Sequence, residues 1–389
     1  MLFLLMCILF LSAFVIFFAM IGYPLLLSLL DKILKPLPIK KDFEFEPTVS
    51  YMIVAHNEES VILKKLKNTL EIDYPKEKLQ IIVASDNSTD GTNSIVKNFI
   101  ERNSSYNIFL YCSKKHKGKT NAQNEAQKIS NGEILVMTDA NTMIKSDAIK
   151  ELVACFTEPN IVYVSGRLIY SNKDDNATSN SESTYWDLDL RMRDVESRFW
   201  SITAGNGALY ACRNSEYVDF DPITCHDSIM PFTYSKQGKR ALFNPDAIAV
   251  EKAGENNNDE YKRKVRMNRD IIDMLFWGAT VINPFRYHWF SLFYFGHRTC
   301  RYSLWLAHLL MVFSSFLLYY YGFFPGLIFA IMQIIFFSLA IFVLKYGTNN
   351  KLLHLVGYYG MTVFSQLHGV YNIIFGKAKP VWEKAKSTR

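Results

Sequence analysis

No charged side chain occurs between Leu2 and Leu30. A charge-free stretch of that length exceeds the roughly 20 residues that cross a hydrocarbon core about 30 Å thick, so it reads as a transmembrane helix. A cleaved leader would need a basic start, a shorter apolar stretch and a small-residue cleavage site; with none of these, the expectation is an uncleaved anchor. The six cysteines, at 7, 112, 155, 212, 225 and 300, form no CxxC pair and no zinc-type spacing. They read as packing residues of a reducing compartment. No GxGxxG follows a candidate strand, which weakens a dinucleotide-oxidoreductase reading, and the chain has no P-loop GxxxxGKS or GxxxxGKT. The net charge of +6 is not gathered into a basic stripe interleaved with aromatics. Much of it lies beside apolar spans, so membrane lipid is the expected counter-charge and nucleic acid is not.

Lys32, Lys35, Lys40 and Lys41 follow the first span. Positive-inside bias then places the next domain in the cytosol, at the plasma membrane, with the N-terminus outside. A cytosolic domain never meets the glycosylation machinery, so the sequons at Asn87, Asn103 and Asn176 read as accidental. The expected domains are residues 1–46 (anchor and basic linker), 47–275 (cytosolic catalytic domain) and 276–389 (interfacial segment, membrane helices and basic tail).

From about residue 47, short β-branched runs alternate with polar helical stretches. Strands are predicted at Val49 to Ala55, Leu79 to Ala84, Ile108 to Tyr111 and Glu133 to Met137, with helices near Glu59 to Leu70, Asn93 to Arg102 and Thr120 to Ile129. This alternation implies right-handed βαβ units and an α/β fold with a parallel sheet covered on both faces. The Asn/Ser/Asp-rich stretch Ser171 to Ser183 reads as a loop, and Tyr185 to Phe199 as an amphipathic helix suited to a membrane surface. Further on, Trp277 to Gly296 reads as interfacial, and Ser303 to Tyr321 and Pro325 to Leu344 as two spans. Leu352 to Phe375 carries His354, Ser365, Gln366, His368 and Asn372, which demand partners in lipid. A third C-terminal span would put Lys377, Lys379, Lys384, Lys386 and Arg389 outside, so either the last segment is re-entrant or interfacial or Trp277 to Gly296 enters the bilayer, and a cytosolic tail is expected.

Candidate chemistry gathers at strand ends. Thr138-Asp139-Ala140-Asn141-Thr142 directly follows the apolar run Ile134 to Met137. Open α/β sheets bind ligands outside strand carboxyl ends, so Asp139 and Asn141 suggest a divalent metal and a diphosphate. Asn57 and Glu58 after the first strand and Asp86 after the second share that rim, where a nucleotide would meet them. Asp86 reads as a base contact because it directly follows its strand, and Asp90 as a helix cap. In Lys114-Lys115-His116-Lys117-Gly118-Lys119-Thr120, Lys119 is either a phosphate contact or part of a solvated charge run.

Together the segments Val54 to Glu59, Ser85 to Thr92 and Thr138 to Thr142 resemble family 2 glycosyltransferases, particularly the membrane-anchored bacterial polysaccharide and lipid-sugar branch. The resemblance implies a GT-A fold, here a mixed, mainly parallel sheet with helices on both faces, plus N- and C-terminal transmembrane helices. It also implies a nucleotide diphosphate sugar donor and a Mn²⁺ or Mg²⁺ ion, with nucleoside contact by Asp86 and metal and diphosphate contact by Asp139 and Asn141. Asn141 stands where members often have a second Asp, which implies weaker metal binding. Gly205-Asn206-Gly207-Ala208-Leu209-Tyr210 resembles the family's acceptor segment, and Cys225-His226-Asp227 its acidic pair, with His226 replacing the first acid. Asp227 is the expected base for an inverting transfer, and His226 either orients it, contacts diphosphate or packs. Tyr261 to Arg269 takes the place of the QxxRW element, which accompanies processive polymerisation. Arg263 and Arg266, three apart on a helix, could clamp the diphosphate or rest on anionic lipid. The expected function is transfer of the sugar to a lipid-linked saccharide or growing polysaccharide. The alternatives are loading of one sugar onto polyprenyl phosphate and an inactive membrane scaffold.

Overall fold

The computed structural model describes residues 1–172, 177–252, 257–348 and 350–381. Asn176, Lys384, Lys386 and Arg389 lie outside the described residues. Close contacts divide the chain into two units, Met1–Lys35, Asp174–Leu188 and Gly254–Ala378 in one, Pro36–Lys173, Asp189–Ala253 and Lys379–Arg389 in the other.

The second unit is built on a sheet of β1 (Val49–Ala55), β2 (Leu79–Ser85), β3 (Ile108–Cys112), β4 (Ile134–Asp139), β5 (Met143–Ile144), β6 (Ile161–Tyr170), β7 (Leu209–Arg213) and β8 (Arg240–Glu251). The strand order is β3-β2-β1-β4-β7-β6-β8-β5. β1 to β4 pair in parallel, β7 runs antiparallel between β4 and β6, and β8 lies parallel to β6. Every residue of β1 and β2 is buried, which explains why these strands are nearly continuous apolar runs without alternation. The helices Ile62–Thr69, Thr92–Arg102 and Lys119–Gln127 connect the first four strands. On one side of the sheet, Met52, Ile82, Met137, Tyr163, Tyr210 and Phe243 form a single core cluster.

The predicted loop over 171–183 is corrected, because a helix spans Ala177–Phe199 and takes up most of it. Asp189, Arg193 and Glu196 on that helix are buried, so this charged face is packed inside protein.

In the other unit, Leu2–Leu34 and Pro325–Tyr346 are long and apolar enough to cross a membrane. Trp289–Cys300 and Leu304–Tyr320 make a third such segment if taken together, bent by 63° at their break. That break opens backbone groups, which Gln366 closes: its Oε1 accepts from Trp305 N at 3.2 Å and its Nε2 donates to Arg301 O at 2.9 Å. A polar side chain in an apolar helix is thereby satisfied, as a lipid setting requires.

Candidate active site

The register of the sheet assembles the site. Ala55 pairs with Ser85 and Val54 with Asp139, so the turns leaving β1, β2 and β4 open on one rim. Asn57 adopts a left-handed conformation (φ 53°), and its Oδ1 accepts from Thr89 N at 2.7 Å and Asp90 N at 3.3 Å. Its amide therefore braces one turn against the next. Glu58 is buried, with its N–H on Thr92 Oγ1 at 2.7 Å. Asp90 accepts from Thr92 N and Oγ1 at the start of the following helix, in keeping with a capping role.

Asp86 is fully buried, and its carboxylate accepts from His116 Nδ1 at 2.7 Å, Gly118 N at 2.8 Å and Lys117 N at 3.1 Å. It thus anchors the basic loop. The His116 ring stacks on His56 with centroids 3.7 Å apart and planes within 6°, and His56 Nδ1 donates to Asp86 O at 2.7 Å. Two histidines and a carboxylate this close suggest a metal centre. Face-to-face imidazoles present parallel lone pairs that do not converge on one ion, and the carboxylate already accepts from three donors. The cluster is a hydrogen-bonded brace.

The centre of the rim lies at Gly207. Lys119 forms an ion pair with Asp139 and donates to Gly207 O at 3.1 Å. A Cβ added at Gly207 would sit 2.9 Å from Lys119 Nζ and 3.7 Å from both Asp139 Oδ2 and Asp227 Oδ1. Lys119, Asp139 and Asp227, remote in sequence, thus face one small space. Asp227 is in the first turn of the helix His226–Lys236, and its backbone oxygen accepts from Gly205 N at 2.8 Å.

Asn141 Nδ2 donates to Glu251 Oε1 at 2.6 Å, bringing an acid from the end of β8 to the pentad. Behind it Lys65, fully buried, donates to Thr138 Oγ1 at 3.2 Å and to the Thr142 carbonyl, tying both ends of the pentad. Burial brings its pKa down to about 7 against the opposing pull of Asp139 and Glu251. Neither Lys65 nor Glu251 stands out in the sequence, since an isolated Lys on a polar helix and a Glu at a strand end are both common. The oxygen donors of Asp139, Asn141 and Glu251 suit a hard divalent cation such as Mg²⁺ or Mn²⁺.

Two expected acceptor contacts are committed to the fold. His226 is buried with Nδ1 3.2 Å from Tyr210 OH and Nε2 3.0 Å from Tyr217 OH. Burial, then the Lys119 charge, drives its pKa down to about 3, so it is a neutral packing residue and not a protonated diphosphate contact. Asn206 is buried and spans the turn, giving Nδ2 to Gly166 O at 2.6 Å and taking Ala208 N at 3.1 Å. Arg263 pairs with Glu260 at 2.8 Å, and both it and Arg266 belong to the unit with the apolar helices.

Residues 50–215 match the profile of the family described as glycosyl transferase family 2. The chain carries a family 2 glycosyltransferase domain. It is 27% identical over 163 residues to the beta-monoglucosyldiacylglycerol synthase of a Nostoc species, covering 41% of this chain and 35% of that protein. It is 40% identical over 111 residues to the probable glycosyltransferase YdaM of Bacillus subtilis, covering 28% and 26%. The chain thus matches about a third or less of the length of these curated relatives. Among solved structures, the mannosyltransferase PcManGT from Pyrobaculum calidifontis, in complex with GDP-Man and Mn²⁺, aligns with a TM-score of 0.70 at 21% identity, over 94% of this chain and 99% of that one. That likeness shows the GT-A-type fold of the family 2 domain.

Proposed function

We propose that this protein transfers a sugar, with inversion, from a nucleotide diphosphate sugar to a lipid-linked saccharide or growing polysaccharide at the cytosolic face of the plasma membrane. The observation that carries this reading is the convergence of Lys119, Asp139 and Asp227 on the space at Gly207. Asp227 takes the proton of the acceptor hydroxyl as it attacks the anomeric carbon from the face opposite the diphosphate, a role worth roughly 10²- to 10⁴-fold. Lys119, paired with Asp139 in the ligand-free protein, supplies mobile positive charge for the diphosphate. Asp86 holds the loop at Gly118, and the stacked rings of His56 and His116 offer an aromatic face at the nucleoside end. Asp139, with Asn141, would hold Mn²⁺ or Mg²⁺, and such an ion supplies Lewis-acid stabilisation of the leaving diphosphate. The glycolipid named for the Nostoc relative supports a lipid-linked acceptor, as do the apolar helices of this chain, which would hold such an acceptor at high local concentration.

The test is a panel of nucleotide sugars incubated with detergent-purified protein and Mn²⁺ or Mg²⁺, scored for transfer and hydrolysis. Asp227→Asn should lower kcat by about 10²- to 10⁴-fold with donor binding retained. Turnover unchanged in both Asp227→Asn and Asp139→Ala would refute the site. Calorimetry detecting no sugar nucleotide would favour a scaffold.

A further inference from the structure

Asp139 supplies one carboxylate where a strongly bound divalent ion commonly has two, and Asn141 adds no charge. The sheet delivers another acid to the same place. β5 pairs antiparallel with β8, Met143 opposite Val250 and Ile144 opposite Ala249, so one step further residue 251 falls opposite 142. β6 fixes Glu251 from the other side, Tyr170 being its parallel partner, and Ser171 N donates to Glu251 O at 2.9 Å. The backbone that carries this side chain is therefore held on both flanks, the rigid support that a binding group needs. Its carboxylate reaches back to the pentad and accepts from Asn141 at 2.6 Å, and it is not sealed from solvent.

We infer that Glu251 is the second carboxylate of the donor site and binds the divalent ion together with Asp139, while Asn141 orients it. Lys65, buried behind the pentad, donates to Thr138 Oγ1 and to the Thr142 carbonyl, so the turn that carries Asp139 and Asn141 toward Glu251 is held at both ends. Lys119 pairs with Asp139 in the ligand-free protein. Asn141 in place of a carboxylate avoids a third negative charge beside Glu251, where like charges repel.

The inference rests on the metal-dependent reading of the site, and its test separates the two. Mn²⁺ binding to the full chain in detergent is measured by electron paramagnetic resonance and calorimetry, with Mn²⁺ alone and with GDP or UDP. Glu251→Gln should weaken Mn²⁺ binding by more than about tenfold, the loss that removing even an outer-shell partner of a metal brings, at an unchanged Tm. Adding Asn141→Asp to Glu251→Gln should recover part of the affinity. If Glu251→Gln does not fold, Glu251→Asp, which keeps the charge and withdraws it by one methylene, should show the same weakening. Wild-type Mn²⁺ affinity in the folded variant, with binding lost in Asp139→Ala, overturns the role of Glu251 alone. Wild-type affinity in Asp139→Ala as well overturns the metal site itself.

Discussion

Single residues at this site are read by what surrounds them more than by what they are. His226 stands beside the expected base, and its type alone leaves catalysis open. Burial between Tyr210 and Tyr217 decides for packing. A neutral buried histidine has a consequence in acid. With the folded pKa near 3 and the unfolded one near 6.5, the unfolded chain binds the extra proton between those values. Stability from this group therefore falls as pH drops below 6.5, by about 2 kcal/mol at pH 5. His226→Phe should shrink the difference between the Tm at pH 7 and at pH 5. An undiminished difference would assign the acid sensitivity to other groups. Asp139 and Asp227 were legible because position after a strand and family resemblance single them out. Lys65 and Glu251 were not, because their meaning depends on the β5–β8 register and on burial, neither of which a local pattern encodes.

At the level of elements, parallel strands buried on both faces must be written as apolar runs, and β1 to β4 fall within about two residues of their predicted bounds for that reason. β6, β7 and β8 were harder to read, since their pairing joins segments far apart in the chain. The helix Ala177–Phe199 was predicted from Tyr185 onward, and only its start was missed, because Asn and Ser favour turns locally whereas this segment is helical in the folded protein. The loop between that helix and β7 separates two requirements at neighbouring glycines. A Cβ at Gly205 would lie 1.9 Å from the hydroxyl of the fully buried Tyr163, which has no room to retreat. Gly205→Ala should cost about 1–3 kcal/mol of stability, seen as a lower Tm. At Gly207 the clash is with the flexible tip of Lys119. Gly207→Ala should leave the Tm unchanged while raising the donor KM by on the order of ten- to a hundredfold, the worth of a hydrogen bond to a charged group. Equal losses of stability in the two variants would contradict this division.

The whole molecule raises the question of sides. Two of the apolar segments after the catalytic unit, the bent pair and Pro325–Tyr346, can cross a membrane by length and composition, and Lys351–Ile374 falls outside that group. An even number of crossings returns the chain to the side it left. The tail agrees: Lys379 and Pro380 belong to the catalytic unit, and Gly118, in a left-handed conformation, lies so close to Pro380 that a Cβ would sit 2.5 Å from its carbonyl oxygen. The loop that Asp86 anchors is thus in contact with the segment following the last helix. We expect the C-terminus and the catalytic unit on one face, with Lys351–Ile374 not crossing. Cys112, exposed in the catalytic unit, provides a native reference thiol. In sealed vesicles of each orientation, a membrane-impermeant maleimide should label Cys112 and, in a Cys112→Ser background, Ser387→Cys from the same side. Labelling from opposite sides would make Lys351–Ile374 a full span and dissociate the tail from the nucleoside loop.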